Sequence, residues 1–208
     1  MRDAVIVSTA RTPIGKAYRG AFNATSTPTL AGHAIEHAVA RAGIDPARIE
    51  DVVFGAALQQ GTNFMNVARN AGIRAGLPVS VAGQSIDRQC ASGMMGIATA
   101  AKQIICDGMD VTVGGGVESI SMNQVPQSFQ ITDDWIKTNK PALYMTMLET
   151  AENVAERFNV SREEQDEYAL ASQQRTAAAQ EAGKFDDEIV AMKTVKKVMD
   201  KVTREVSN

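Results

Sequence analysis

At 208 residues, the chain can bury a full hydrophobic core as one domain, or as one domain plus a smaller lobe. Its 44% hydrophobic and 22% charged residues describe an ordinary globular protein, and a net charge of −3 argues against nucleic-acid or anionic-membrane partners. Aromatic residues are too few for stacking on single-stranded nucleic acid, and no apolar run reads as a signal peptide or a membrane span. The two cysteines, Cys90 and Cys106, read as reduced thiols of a cytoplasmic protein.

Along the chain, strand and helix patterns alternate. Ala4 to Ala10 is a continuous apolar run, as expected of a strand buried on both faces. A helix follows with Ser26 or Thr27 as N-cap and Pro28 in its first turn; Leu30, Ala34, Ala38 and Ala42 share its apolar side, and Gly43 stops it. Val52 to Leu58 reads as the next strand, Met65 to Ala75 as a small-residue helix, and Val79 to Ile86 as a third strand. Ala91 to Asp107 forms a long helix closed by Gly108, and Val111 to Val113 is a strand running into Gly114-Gly115-Gly116. Repeated strand–helix–strand units imply an α/β fold with a mostly parallel, helix-covered sheet.

After Glu118 the texture changes. Ser119 to Pro141 is polar and aperiodic, which marks a domain junction and divides the chain into 1–118 and 119–208. Two helices follow, the second opened by the capping box Ser161-Arg162-Glu163-Glu164 and continuing to about Gly183. The tail from Asp187 alternates weakly and stops without a closing element, so a truncated or cleaved product is expected.

The most suggestive chemistry lies at Ser85 to Met94. A buried strand ends near Asp87 and an Ala- and Gly-rich helix begins at or just after Cys90. A cysteine there sits among unpaired backbone N–H groups at the positive end of the helix dipole, which favour a thiolate and can donate to an oxyanion. The competing reading is a small buried hydrophobe. Cys106, in the last turn beside Ile104 and Ile105, reads as structural.

Other patterns compete. His33-Ala34-Ile35-Glu36-His37 matches the H-x-x-E-H arrangement of zinc peptidases, against the plainer reading of an exposed helix face. Gly114-Gly115-Gly116 is not a dinucleotide fingerprint, and its plain reading is a turn with unusual backbone angles. The run Lys193, Lys196, Lys197, Lys201 and Arg204 is either a solvated face or a complement to the phosphates of a ligand.

Several segments together resemble the thiolase family of acyl-CoA acyltransferases: Ala4-Val5-Ile6-Val7 with Ala10-Arg11-Thr12-Pro13-Ile14-Gly15; Asn66-Val67-Ala68-Arg69 with Ala75-Gly76-Leu77-Pro78; Ile86 to Gly93; Gly114 to Ser119 followed by Ser121-Met122; and Thr150 to Ala155 with Ser161 to Asp166. The resemblance covers nearly the whole chain and implies a thiolase-like layered fold whose loop domain covers coenzyme A. It makes Cys90 the acyl-accepting nucleophile, Met147 a lining residue of the substrate tunnel, and Gly115, Gly116 and Glu118 an active-site loop. It implies acyl-CoA and coenzyme A as substrates, with no metal and no resident cofactor. Val79 to Asp87 would pair across a homodimer two-fold, with Phe64 and Asn66 nearby, and Gln127 to Gln130 falls where some members build a tetramerisation loop.

Two departures stand out. Thr146-Met147-Leu148 replaces the family's usual His-Met-Gly, which implies an altered acyl pocket. The family's second half, with its Gly-His-Pro histidine, cysteine base and Asn-Glu-Ala-Phe-Ala segment, is not in this sequence. The expectation is therefore a chain that accepts an acyl group but needs a separate C-terminal half for turnover. The alternatives are a catalytically inert dimerising fragment and a related ketosynthase.

Overall fold

The computed structural model describes residues 2–124, 131–199 and 206–207. It divides into two compact units, one of Met1–Val125 with Glu188–Asn208 and one of Pro126–Asp187.

The first unit is built around strand β1 (Asp51–Gly55), buried along its whole length. It pairs in parallel with β2 (Ala82–Ile86) on one side and β3 (Thr112–Gly116) on the other, with Asp51 opposite both Ala82 and Thr112. The Val-Val-Phe run makes this possible, because a central parallel strand needs apolar side chains on both faces. Val52 and Phe54 enter the core with Ala31, Ile35 and Val39 of helix α1 (Thr27–Ala42) and Ala68 and Ala71 of α2 (Val67–Arg74). On the other face lies α3 (Ser92–Cys106), whose Gln103 Nε2 donates to the buried Asp51 carboxylate at 2.6 Å. The result is a three-layer α/β unit, as expected. Each fully buried valine or isoleucine, such as Val52, Val53 and Ile35, contributes about 1.5–3 kcal/mol.

Helix α1 starts after Ser26, carries Pro28 in its first turn and ends where Gly43 adopts a left-handed φ of 63°. Helix α2 begins later than its apolar pattern suggests, because Asn66 caps it by accepting from Arg69 N at 3.0 Å.

The N-terminal run corrects the sequence reading. Ala4 to Ala10 forms no strand, and Val5, Ile6 and Val7 are 73%, 78% and 73% exposed. Apolar content equips a segment for burial but does not supply the neighbouring backbone that a strand requires. The segment is instead tied at its ends: Arg2 to Gly108 O and the Asp110 carboxylate, Thr9 O to Arg41 at 2.7 Å, and Arg11 in a bridge with Ile189. The hydrogen bond and charge of the Arg2 guanidinium hold the Asp110 carboxyl below its ordinary range.

The tail is a second correction. From Glu188 it packs with the first unit: Val190 is buried and bonds Arg11 O through its N–H at 2.9 Å, and Asn23 pairs with Lys197. The short β4 (Val198–Met199) and β5 (Val206–Ser207) pair antiparallel.

The short α4 (Ile120–Asn123) follows β3 in the first unit, and the second unit holds α5 (Asp134–Asn139), a 3-10 turn at Pro141–Tyr144, α6 (Met147–Phe158) and α7 (Arg162–Glu181). Both long helices open on complete capping boxes, Thr146 with Glu149 and Ser161 with Glu164. None of this unit's described residues is buried. Among the described residues, no helix is long and apolar enough to cross a membrane.

Candidate active site

The carboxyl ends of the three parallel strands meet the N-terminus of α3, the position where open α/β sheets bind ligands. Backbone is packed on backbone here. A Cβ at Gly55 would lie 2.0 Å from Ser92 O, and one at Gly96 2.5 Å from Gly115 O. Only residues without side chains let the helix sit this low on the sheet.

Cys90 stands in the elbow between β2 and α3. Asp87 Oδ1 accepts the Gln89 N–H at 2.8 Å, and Gln89 takes a left-handed φ of 49°, unusual for a residue with a side chain. Ser92, buried in the turn, receives Arg88 N at 2.9 Å on its Oγ and donates to Gln89 O at 2.5 Å. Strained backbone of this kind persists where the surroundings over-determine it. The Cys90 thiol is exposed, two residues before the first helical turn. At the start of α3 the N–H of Ser92 donates to Gln89 O at 3.0 Å and that of Met95 to Ala91 O at 2.9 Å, and the first N–H groups of a helix have no acceptor within it. The competing picture of a buried, packed Cys90 does not hold. Cys106 is also exposed, in the last turn of the same helix and roughly 20 Å further along its axis.

Glu118 follows β3 and is fully engaged. Its Oε2 accepts Leu58 N at 2.9 Å, and its Oε1 accepts Asn63 Nδ2, Ser119 N and Asn123 Nδ2, each at 3.1 Å. It borders a groove of about 350 Å³ with Arg11, Lys16, Phe22 and Ser121; Cys90 is not part of its wall. Gly115 and Gly116, expected in a loop, are strand residues of β3. Neither takes a positive φ, and what they provide is closeness: a Cβ at Gly116 would lie 2.7 Å from Gly93 Cα.

Met147 is the first residue of α6 in the second unit, 72% exposed. His33 and His37 stack edge-on at 4.5 Å, with His33 Nε2 3.0 Å from Ala191 O. No group of three metal-ligating residues occurs among the described residues. Asn66 is spent within the chain, its Nδ2 donating to Gly83 O at 2.7 Å, while Phe64 and Val79 are exposed. Lys193, Lys196 and Lys197 are exposed, and Lys201, Arg204 and Gln127 to Gln130 lie outside the described residues.

Sequence reasoning missed the buried pair Asn63 and Asn123, whose partners are scattered from position 58 to 119. It also missed the Thr146–Glu149 capping box, although the T-x-x-E spacing was there to find.

The profile of the thiolase N-terminal domain matches residues 4–207. The chain belongs to the thiolase family. This thiolase chain is 41% identical to 3-ketoacyl-CoA thiolase of Bacillus subtilis, over 91% of its own length and 49% of the relative's. It is 37% identical to acetyl-CoA acetyltransferase of Cupriavidus necator, over 91% of its length and 51% of that protein's. The crystal structure of Bacillus anthracis acetyl-CoA acetyltransferase matches it with a TM-score of 0.80 and 36% identity, covering 100% of this chain and 53% of that one. The thiolase chain thus spans about half the length of the curated relatives it matches.

Proposed function

We propose that the chain is the acyl-accepting half of an acyl-CoA acyltransferase that forms or cleaves a 3-oxoacyl-CoA such as acetoacetyl-CoA, with Cys90 as nucleophile. The observation that carries this reading is the exposed Cys90 thiol in a strained elbow at the start of α3. In the cleavage direction the Cys90 sulfur, as thiolate, attacks the 3-oxo carbon. A carbon–sulfur bond forms, the bond between C2 and C3 breaks, and acetyl-CoA leaves as its enolate and takes up a proton. Elbow amides aimed at the carbonyl oxygen would stabilise the oxyanion. Transfer of the acetyl group to coenzyme A then frees the sulfur.

Turnover needs one group to activate the nucleophile and another to move the α-proton. The sequence holds two histidines, His33 and His37, both on α1, and one further cysteine at the far end of α3. We therefore assign these roles to the C-terminal half of the family's length, which this sequence does not include. Exposed Val5, Ile6 and Val7 support a covering partner there. Exposed Phe64, Met65 and Val79 beside β2 support pairing of two copies, as a homodimer or within a tetramer. Met147 and the second unit would contact the acyl-CoA, with no metal or resident cofactor. Two unpaired cysteines support a cytoplasmic setting, in the metabolism of fatty acyl thioesters.

Incubation with acetoacetyl-CoA followed by intact-mass measurement tests this. One acetyl group should appear on the chain, vanish in Cys90→Ala and persist in Cys106→Ala. Sustained product release should require the C-terminal half. An adduct that survives Cys90→Ala, or none at all with that half present, overturns the reading.

A further inference from the structure

Resting on that acyl-transfer reading, we infer that Glu118 is a positioning residue for Cys90, acting through the loop after β1 and not by touching substrate. Four donors converge on its two oxygens, three on Oε1 and one on Oε2. Two of them belong to Asn63 and Asn123, both fully buried, whose amides have no water to turn to.

The network extends along the loop. Asn63 Nδ2 also reaches Leu58 O at 2.8 Å, Asn123 Oδ1 accepts Thr62 N at 2.7 Å and Thr62 Oγ1 at 2.8 Å, and Asn123 O accepts Gln60 Nε2 at 2.7 Å. Residues 58, 60, 62 and 63 are therefore all tied to one carboxylate directly or through a single asparagine. Gln59, held between two tethered neighbours, sends Nε2 to Ala56 O at 2.6 Å and to Ile86 O at 3.4 Å. Ile86 is the last residue of β2, and its carbonyl also receives Ala56 N at 3.0 Å. The next four residues are the elbow that ends on Cys90. Glu118 thus fixes the loop, and the loop fixes the base of the elbow.

The test compares Glu118→Gln and Glu118→Asp in the full chain. The glutamine presents an NH2 to donors that need an acceptor, whereas aspartate keeps both oxygens. Iodoacetamide alkylation of Cys90 is measured against Cys106 in the same molecule, together with hydrogen exchange at Leu58 and Thr62. Glu118→Gln should lower the Cys90-to-Cys106 rate ratio about tenfold and release both amides to exchange, and Glu118→Asp should restore part of each. A ratio equal to wild type in Glu118→Gln, or no rescue by aspartate, overturns the inference. If Glu118→Gln fails to fold, Gln59→Ala cuts the link to Ile86 without touching the carboxylate. It should lower the same ratio while Leu58 stays protected, and an unchanged ratio again overturns the inference. Alkylation involves no thioester, so failure of acylation even with the C-terminal half present would sink the acyl-transfer reading and leave this one to be judged on the ratio.

Discussion

The two units hold their shape by different means. In the first, β1 is buried from end to end and helices flank it on both faces. In the second, no described residue is buried, yet α6 and α7 run 12 and 20 residues, each opened by a reciprocal capping box. Helix α6 also closes on Asn159 in the left-handed conformation. Local chain chemistry therefore suffices to mark where a helix begins and ends. Burial is a separate achievement, and among the described residues only the first unit has it. The exposed Leu148, Val154 and Phe158 of α6 are an apolar face without a floor inside their own unit.

The sharpest way to break this contrast is at Gly55. A methyl group there would overlap Ser92 O, so Gly55→Ala should lift α3 from the sheet and cost about 3 kcal/mol or more, read from the urea midpoint. The same change should leave hydrogen exchange in α7 untouched. A smaller effect belongs to the second unit: Ser161→Ala removes an N-cap and should cost about 1 kcal/mol, seen as faster exchange at Glu164 and lower helix content. Truncating the exposed Phe158, by contrast, should cost less than about 0.5 kcal/mol.

The smallest expected effect is electrostatic. The backbone N–H of Thr146, and then its hydroxyl, hold the Glu149 carboxyl below its ordinary value of 4.5. A carboxyl lowered by folding stabilises α6 fully above that value, and its contribution disappears as pH falls through the folded one. Acid titration followed by exchange at Glu149 should show the first turn of α6 loosening, and Glu149→Gln should remove the pH dependence.

Elements whose signals are local were legible in the sequence. Ser26, Pro28 and Gly43 bracket α1, Ser161 and Glu164 open α7, and the Val-Val-Phe run announces a strand covered on both faces. Cys90 was legible as a thiol at a strand-to-helix junction, because strand end and helix start are each written in adjacent residues. Pairing was not. Val5 to Val7 carry strand-like side chains, but whether a strand forms depends on another segment's backbone, of which an apolar run says nothing. The engagement of Glu118 was equally hidden, since its partners at 58, 63 and 123 become neighbours only when the loops after β1 and β3 come together. The close approach that Gly115 and Gly116 allow was hidden for the same reason, since what a side chain there would meet, Phe54 and Gly93, lies on other elements.

The low seat of α3 on the sheet has a consequence for anyone wishing to retune this protein. Where helix and strands meet through main-chain atoms alone, there is no cushion of rotatable groups to absorb a change in volume. Enlarging or reshaping the reactive end by substitution along that seam will shift whole elements. Variation belongs instead in the segments that rise beyond the strand tips, where each added atom has open space to occupy.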